Sequence, residues 1–142
     1  MFHKKVLFAL GSCIGRSGAA VVEYSLTITD KFVEVTSADG KNISRYGSLV
    51  NDQLPGPILR AKEGDQFLIY VTNNQASRNA ALHWHGIKQT GTPYYDGVPG
   101  VAECGITSGS TALYNFTASP AGTYCELVRD VLDFIIYSAS LL

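Results

Sequence analysis

The sequence is poor in the residues and runs that several common functions require. Its 142 residues include only three histidines, three cysteines and one methionine. No uninterrupted apolar run reaches the roughly 20 residues that a membrane-spanning helix needs. Charged residues make up 16% of the chain and the formal net charge is −1, so nothing indicates a nucleic-acid partner. No amphipathic helix, internal repeat or low-complexity segment stands out, which leaves an ordinary globular domain.

The residues that are present favour a single β-rich domain. A chain of this length buries about two-thirds of its unfolded surface, and its apolar content of 46% is rich in valine, tyrosine and phenylalanine. Short strand-like segments separated by turn residues predict an all-β Greek-key sandwich. The predicted strands cover residues 24–29, 32–36, 44–50, 66–72, 80–87 and 111–117. The segment 66–72 is almost continuously apolar, so we expect it to be buried on both faces.

Two of the three histidines stand together in the segment His83-Trp84-His85. In a strand, successive side chains alternate faces, so His83 and His85 should point one way and Trp84 into the core. A rise of about 3.3 Å per residue puts the two imidazole stems roughly 7 Å apart. That spacing suits two metal ions side by side, or one ion held from both flanks. Imidazole binds copper, zinc, iron and nickel, and a bare His-x-His is also typical of a half-exposed polar strand.

The N-terminus has the pattern of a secretory signal peptide. Lys4-Lys5 precede a short apolar core at residues 6–14, and Gly18-Ala19-Ala20 are small residues suited to cleavage. A disordered N-terminal arm is the alternative. Two glycosylation sequons, beginning at Asn42 and Asn115, are consistent with a secreted glycoprotein. We therefore expect an extracellular protein that is neither membrane-bound nor nucleic-acid-binding.

The cysteines allow one disulfide in the mature chain. Cys13 would leave with the signal peptide, so Cys104 and Cys125 would remain. In an oxidising compartment these two residues can pair with each other.

Five segments, in order along the chain, carry a family pattern. They are Val50-Asn51-Asp52-Gln53-Leu54-Pro55-Gly56-Pro57; residues 63–74; the run from His83-Trp84-His85-Gly86-Ile87 through Gln89, Gly91-Thr92, Asp96-Gly97-Val98-Pro99-Gly100-Val101 and Glu103-Cys104; Tyr114-Asn115-Phe116-Thr117; and Ala121-Gly122-Thr123-Tyr124. Over about residues 24 to 124 the sequence resembles the N-terminal cupredoxin domain of multicopper oxidases, with fungal laccases and ascorbate-oxidase-like enzymes as the nearest types.

The resemblance implies copper as the cofactor and assigns roles to three residues. His83 would ligate the type 2 copper and His85 one type 3 copper. Asp96 would be the acidic residue that relays protons near the type 2 site, although an aspartate before a glycine is equally typical of a turn. In the whole protein, phenolic or similar reductants and dioxygen would be the substrates. The resemblance also implies that Cys104 pairs with a cysteine of a later domain.

Beyond Tyr124 the sequence departs from the family pattern. The family continues with aromatic residues and a second His-x-His, whereas this chain has Cys-Glu-Leu-Val-Arg at residues 125–129. His3 falls in the predicted signal, so His83 and His85 are the only imidazoles of the mature chain. In the family, four His-x-His pairs hold the trinuclear copper cluster, and the type 1 copper lies in the last domain. Most ligands of the family's copper centres are therefore missing.

We accordingly predict three regions and one main function. Residues 1–20 form the signal peptide, 21–124 the cupredoxin-like domain, and 125–142 a divergent tail in place of the second histidine motif. The tail is expected to leave the sandwich without a central pairing partner, although residues 134–137 have the composition of a terminal strand. The predicted function is that of a copper-binding first domain of a laccase-like oxidase, incomplete and inactive alone. The alternative is a non-catalytic secreted module that binds metal weakly or not at all.

Two other histidine-containing families do not fit. A single-domain blue copper protein needs a cysteine, two histidines and usually a methionine. No histidine follows Cys104, and the one methionine is Met1. A cupin needs a glutamate shortly after its His-x-His and a later histidine. Gln89 stands where that glutamate would be.

Overall fold

A computed structural model describes residues 18–129 and 134–141, of which residues 127, 129 and 134–141 are described by their backbone alone. The predicted signal peptide lies outside the described residues up to position 17. The described residues form seven strands: β1 (Val21–Thr36), β2 (Asn42–Val50), β3 (Gln66–Asn73), β4 (Ala81–His85), β5 (Thr111–Thr117), β6 (Gly122–Arg129) and β7 (Phe134–Leu141). One 3₁₀ turn, Pro93–Tyr95, interrupts the connection from β4 to β5. No helix of the described residues is long and apolar enough to cross a membrane.

Four of the strands form the first sheet, in the order β2-β1-β3-β5. The pairing of β1 with β3 is parallel, whereas β1 with β2 and β3 with β5 are antiparallel. The sequence predicted two strands at 24–29 and 32–36, but β1 is one continuous strand of 16 residues. Asp30, at the predicted break, pairs with Ser48, and its carboxylate accepts hydrogen bonds from the Ser48 hydroxyl and the Gln75 amide. A polar residue is tolerated inside the strand because these contacts replace water.

The prediction that residues 66–72 are buried on both faces is wrong. Along β3 the side chains alternate, with Phe67, Ile69 and Val71 buried and Leu68 and Tyr70 only half-buried. The strand therefore has one core face and one partly covered outer face. An apolar side chain on the outer face is stable there because neighbouring strands shield part of its surface.

The remaining three strands form the second sheet, in the order β4-β6-β7, with antiparallel pairing throughout. The strand β6 begins in the predicted cupredoxin-like domain and continues into the predicted tail, past the boundary between residues 124 and 125. It pairs with β4. The backbone of residues 134–141 adds a further strand, as the composition of 134–137 predicted. The region predicted as a divergent tail therefore contributes most of β6 and all of β7.

The core lies between the two sheets and confirms the predicted all-β sandwich. Trp84 of β4 is 2% exposed, and its ring centroid lies 5.4 Å from that of Tyr114 and 5.0 Å from that of Phe116, both on β5. Tyr114 and Phe116 face inward and Leu113 faces outward, which agrees with the alternation read from the sequence. Stacking three large rings across the sheets fixes β4 relative to β5.

One buried asparagine organises the loop that leads into β4. Asn73 is fully buried, and its side-chain Nδ2 donates to the carbonyls of Arg78 and Ile106, each at 2.7 Å. Its Oδ1 accepts the backbone N–H of Gln75 at 3.0 Å. These three bonds satisfy backbone groups of two separate loops. They hold the start of β4 in place.

Candidate metal centre

Strand β4 presents both histidines on the outer face of the second sheet. Trp84, between them, occupies the core, so the alternation of the strand turns His83 and His85 to the opposite side. The ring centroids lie 5.7 Å apart, and the ring planes meet at 79°. The side chain of His83 is 13% exposed, whereas His85 is open to solvent. The pair therefore has one sheltered and one accessible imidazole.

A main-chain carbonyl fixes the tautomer of His83. The Nδ1 atom lies 2.7 Å from the carbonyl oxygen of Asp96. A carbonyl oxygen only accepts hydrogen bonds, so Nδ1 must carry the proton and donate it. In the neutral ring, Nε2 then keeps its lone pair and is the nitrogen available to a metal ion. The Asp96 carboxylate is also close, with Oδ1 3.5 Å from Nδ1.

Gly97 lets the Asp96 segment approach the histidine strand. Its φ is +72°, and a methyl group at this position would lie 1.8 Å from the Leu82 carbonyl oxygen. Any side chain would therefore collide with the backbone immediately before His83. Asp96 directly follows the 3₁₀ turn Pro93–Tyr95, and the close approach at Gly97 brings the Asp96 carbonyl to the His83 ring.

A cleft of about 650 Å³ opens beside His83. The connection after β4 forms much of its wall, including Lys88, Tyr94 and Asp96. This volume is within the range of small-molecule sites. A small ligand could therefore reach His83 and the Asp96 carboxylate from the same side.

The hydroxyl of Tyr114 connects β4 to the loop that contains Glu103. The hydroxyl of Tyr114 donates to Glu103 Oε1 at 2.7 Å and accepts the backbone N–H of Leu82 at 3.3 Å. Burial raises the pKa of Glu103, while the hydrogen bond from Tyr114 acts in the opposite direction. Burial and the neighbouring carboxylate also raise the pKa of Tyr114. The pair links the loop after the histidine motif to the residue that precedes His83.

A second glutamate, Glu126, lies in the core opposite Trp84 in the strand pairing and is 1% exposed. Among the side chains that the structure describes, neither of its carboxylate oxygens has a hydrogen-bond partner, and the same is true of the buried indole nitrogen of Trp84. Burial alone raises the pKa of Glu126 to about 8. The Glu126 carboxyl is therefore neutral below about pH 8 and becomes a destabilising buried charge above about pH 8.

The donor set of the site is limited. In the part of the chain that the structure describes, no group of three or more His, Cys, Asp or Glu side chains is arranged to hold a metal ion. The positions that pair with His83 and Ala81 are Leu127 and Arg129, neither of them a typical metal ligand. The residues present fit two imidazole ligands of a copper ion. They do not fit a cluster of several coppers.

The two cysteines of the described residues are free thiols. Cys104 is exposed and Cys125 is half-buried, and no disulfide joins them. The pairing that the sequence allowed between them is not formed. Whether Cys104 pairs with a cysteine elsewhere stays a prediction.

The comparisons with known proteins agree with this architecture. A family model described as multicopper oxidase matches residues 33–125, more than half of the chain. The chain belongs to the multicopper oxidase family. The resemblance read from the sequence is therefore confirmed, and so is the cupredoxin-type fold.

Individual multicopper oxidases give the extent of the similarity. The chain is 39% identical over 108 residues to an L-ascorbate oxidase of Brassica rapa subsp. pekinensis, covering 76% of this chain and 18% of that protein. It is 42% identical over 103 residues to Laccase-1 of Cryptococcus neoformans var. neoformans, covering 72% and 16%. The crystal structure of a laccase from Botrytis aclada superposes with a TM-score of 0.75 at 30% identity, covering 87% of this chain and 23% of that one. The chain thus spans less than a fifth of the length of these two curated relatives.

Three features of the site were not predicted from the sequence. The acceptor for His83 Nδ1 is the Asp96 main-chain carbonyl, whose position depends on how the loop after β4 folds back and not on residue type. The hydrogen bond between Glu103 and Tyr114 joins two segments of the family pattern, and nothing in the sequence indicates that these segments contact each other. The position of Cys125 opposite His85 depends on strand register, for which no local sequence signal exists.

Proposed function

We propose that this chain is the copper-ligand-bearing part of the first cupredoxin domain of a laccase-like multicopper oxidase. The observation that carries the proposal is the hydrogen bond from His83 Nδ1 to the Asp96 carbonyl, which leaves Nε2 as a metal-binding nitrogen. The adjacent His85 ring supplies a second imidazole. Copper is the first choice of metal because it stands at the top of the divalent affinity order for such ligands.

Each site residue has a proposed role. His83 is a ligand of the type 2 copper and His85 of a type 3 copper. Bound copper supplies the one-electron chemistry that couples oxidation of phenolic or similar donors to the reduction of dioxygen to water. Asp96 holds the His83 ring through its carbonyl, and its carboxylate, at the edge of the cleft, is placed to exchange protons with solvent.

The chain by itself is proposed to be inactive. It supplies one histidine pair, and the second strand of the sheet carries Leu127 and Arg129 at the positions beside β4. The remaining ligands and the type 1 copper would come from further cupredoxin domains. Two imidazoles alone should hold at most one copper ion, and weakly.

Secretion is part of the proposal. It rests on the signal-like N-terminus and on the sequons at Asn42 and Asn115. Asn42 is exposed at the start of β2, whereas Asn115 is half-buried and accepts a hydrogen bond from the Gln66 amide. Glycosylation is therefore expected at Asn42 first. Peptide mass mapping of the protein expressed in a eukaryotic secretory host checks this.

Copper titration under argon, followed by dialysis and metal analysis, tests the main proposal. The wild-type chain should bind about one copper and lose much of it on prolonged dialysis. The double variant His83→Ala, His85→Ala should bind none, while the control Glu34→Gln, at an exposed position of β1 in the other sheet, should behave as wild type. In a separate measurement in air-saturated buffer, after unbound copper has been removed, no oxygen uptake is expected with a phenolic donor or ascorbate. Equal copper binding by the double variant would show instead a non-catalytic module whose histidines have no metal role.

A further inference from the structure

The hydroxyl of Tyr114 is bonded to both segments that form the His83 site. It accepts the N–H of Leu82, the residue before His83, at 3.3 Å, and it donates to Glu103 Oε1 at 2.7 Å. Glu103 ends a short turn, residues 98–103, that begins two residues after Asp96. One hydroxyl therefore joins the strand that carries the His83 ring to the segment that carries its hydrogen-bond acceptor.

Backbone hydrogen bonds make the 98–103 turn compact. The carbonyl of Val98 accepts the N–H groups of residues 101–103 at 2.9–3.4 Å, and the Glu103 carbonyl in turn accepts the N–H of residue 100 at 2.7 Å. Only Gly97 separates this turn from Asp96. The place at which the Glu103 side chain is held therefore restricts the position of the Asp96 carbonyl.

The contacts on the other side of Asp96 give weaker support. Its N–H donates to the Pro93 carbonyl at 3.3 Å, which is longer than the usual distance of about 2.9–3.0 Å. The close approach of Gly97 to the Leu82 carbonyl sets a lower limit to the separation of the two segments, but no upper limit. An attractive contact is needed to keep the segments together, and the hydrogen bond between Glu103 and Tyr114 supplies one.

Tyr114 is a fixed point for this bond. It is 1% exposed, it pairs with Ile69 inside the first sheet, and its ring centroid lies 5.4 Å from that of Trp84. Packing on all sides leaves the phenol a single position. A hydroxyl that donates to a carboxylate also forms one of the stronger kinds of hydrogen bond. The first sheet thus determines where the Glu103 carboxylate lies.

We propose that Tyr114 and Glu103 are positioning residues of the metal centre. They hold Leu82 and the 98–103 turn at a fixed separation, which keeps the Asp96 carbonyl on His83 Nδ1 and leaves Nε2 of that ring for the metal. Neither residue needs to contact the metal ion or the ring. The proposal rests on the proposed function in that it takes His83 as a metal ligand.

Nitrogen NMR of the metal-free full chain reads the hydrogen bond of His83 directly. In the neutral ring, the wild type should be the Nδ1–H tautomer, whereas Tyr114→Phe and Glu103→Leu should each show a mixture of both tautomers. Glu103→Gln should behave as wild type, because the carboxamide oxygen can accept the same hydrogen bond.

Tyr24→Phe is the matched control for the loss of a phenol hydroxyl. The Tyr24 hydroxyl also makes two backbone bonds, to the Arg60 N–H at 2.9 Å and to the Arg60 carbonyl at 3.1 Å, but it does so on β1 of the first sheet. Its removal should leave the His83 tautomer unchanged. A tautomer mixture in Tyr24→Phe as large as in Tyr114→Phe would show a general loosening of the fold and overturn the proposal.

Copper affinity gives a second readout, measured for Cu⁺ without oxygen against a coloured chelator. Losing a direct partner of a metal ligand typically costs about 10–100-fold in affinity. Tyr114 and Glu103 act one step further away, through Asp96, so Tyr114→Phe and Glu103→Leu should bind Cu⁺ about three- to tenfold more weakly than wild type. Glu103→Gln and Tyr24→Phe should keep the wild-type affinity.

The outcomes separate this proposal from the proposed function. A wild-type tautomer and wild-type affinity in both Tyr114→Phe and Glu103→Leu would overturn the positioning role and leave His83 as a metal ligand. Equal losses in Glu103→Gln and Glu103→Leu would overturn it too, since the hydrogen bond would then not be the cause. An Nε2–H tautomer in the wild type would contradict the proposed function itself. If Tyr114→Phe does not fold, the two Glu103 variants decide, because they leave the core phenol in place.

Discussion

Glu126, which has no hydrogen-bond partner among the described side chains, should make the stability of the fold depend strongly on pH. Its pKa is raised by burial from the ordinary 4.5 to about 8. The folded chain keeps a proton that the unfolded chain releases above pH 4.5, so the free energy of unfolding falls as the pH rises from about 4.5 to about 8. Below that window the stabilisation is fully present, and above it the loss is complete.

The size of the effect follows from the two pKa values. They differ by about 3.5 pH units, and at about 1.4 kcal/mol per unit the loss amounts to about 5 kcal/mol. A domain of this size has a total stability of about 5–15 kcal/mol. The loss is therefore a large part of the whole. Glu103, whose pKa is also raised by burial, adds a smaller effect of the same sign.

The substitution Glu126→Gln isolates this contribution. A carboxamide resembles the protonated carboxyl in shape and cannot ionise, so the variant should match wild type near pH 4.5 and exceed it by up to about 5 kcal/mol above pH 8. Urea denaturation at several pH values, followed by the fluorescence of the single tryptophan, Trp84, provides the assay. Glu34→Gln, at an exposed position of β1, is the matched control and should leave the pH profile unchanged. Parallel profiles for wild type and Glu126→Gln would refute a buried, unpaired carboxylate.

Three further substitutions test the scaffold of the site. Gly97→Ala should cost about 1–3 kcal/mol more than Gly100→Ala in urea denaturation, because both have positive φ but only the first collides with the Leu82 carbonyl; equal costs would contradict the close approach. Tyr114→Phe should cost about 1–3 kcal/mol, because it leaves the half-buried Glu103 carboxylate and the buried Leu82 N–H without their partner. A cost near zero would argue against both bonds. Asn73→Ala should lower the free energy of unfolding by about 1–3 kcal/mol and speed amide exchange at the start of β4, since the Gln75 N–H and the Arg78 carbonyl lose their bonds to Asn73 while the Ile106 carbonyl keeps the Ala80 N–H.

Local pattern was sufficient for the all-β class and for the direction of the central side chains of β4 and β5. Trp84 points inward and His83 outward because side chains alternate along a strand. This alternation does not depend on which strand β4 pairs with. The same alternation correctly separates Tyr114 from Leu113. The all-β class and the position of the histidine pair could therefore be predicted.

Features that depend on distant pairing could not be predicted. The continuity of β1 through Asp30 requires Ser48 and Gln75, which are far away in sequence. The burial of β3 on one face depends on which sheet covers it, and an apolar run does not show this. Glu126 is the clearest case, because nothing about a glutamate predicts that pairing with β4 turns it into the core.

Nitrogen NMR of the His83 and His85 rings tests the central claim, that both are copper ligands and that Asp96 leaves Nε2 of His83 free. In the neutral ring of the metal-free chain, His83 should be the Nδ1–H tautomer. One equivalent of Cu⁺, which is diamagnetic, should then shift the ring signals of His83 and His85 together, with the largest change at Nε2 of His83. An Nε2–H tautomer at His83, or a titration that leaves both rings unshifted, would contradict the account.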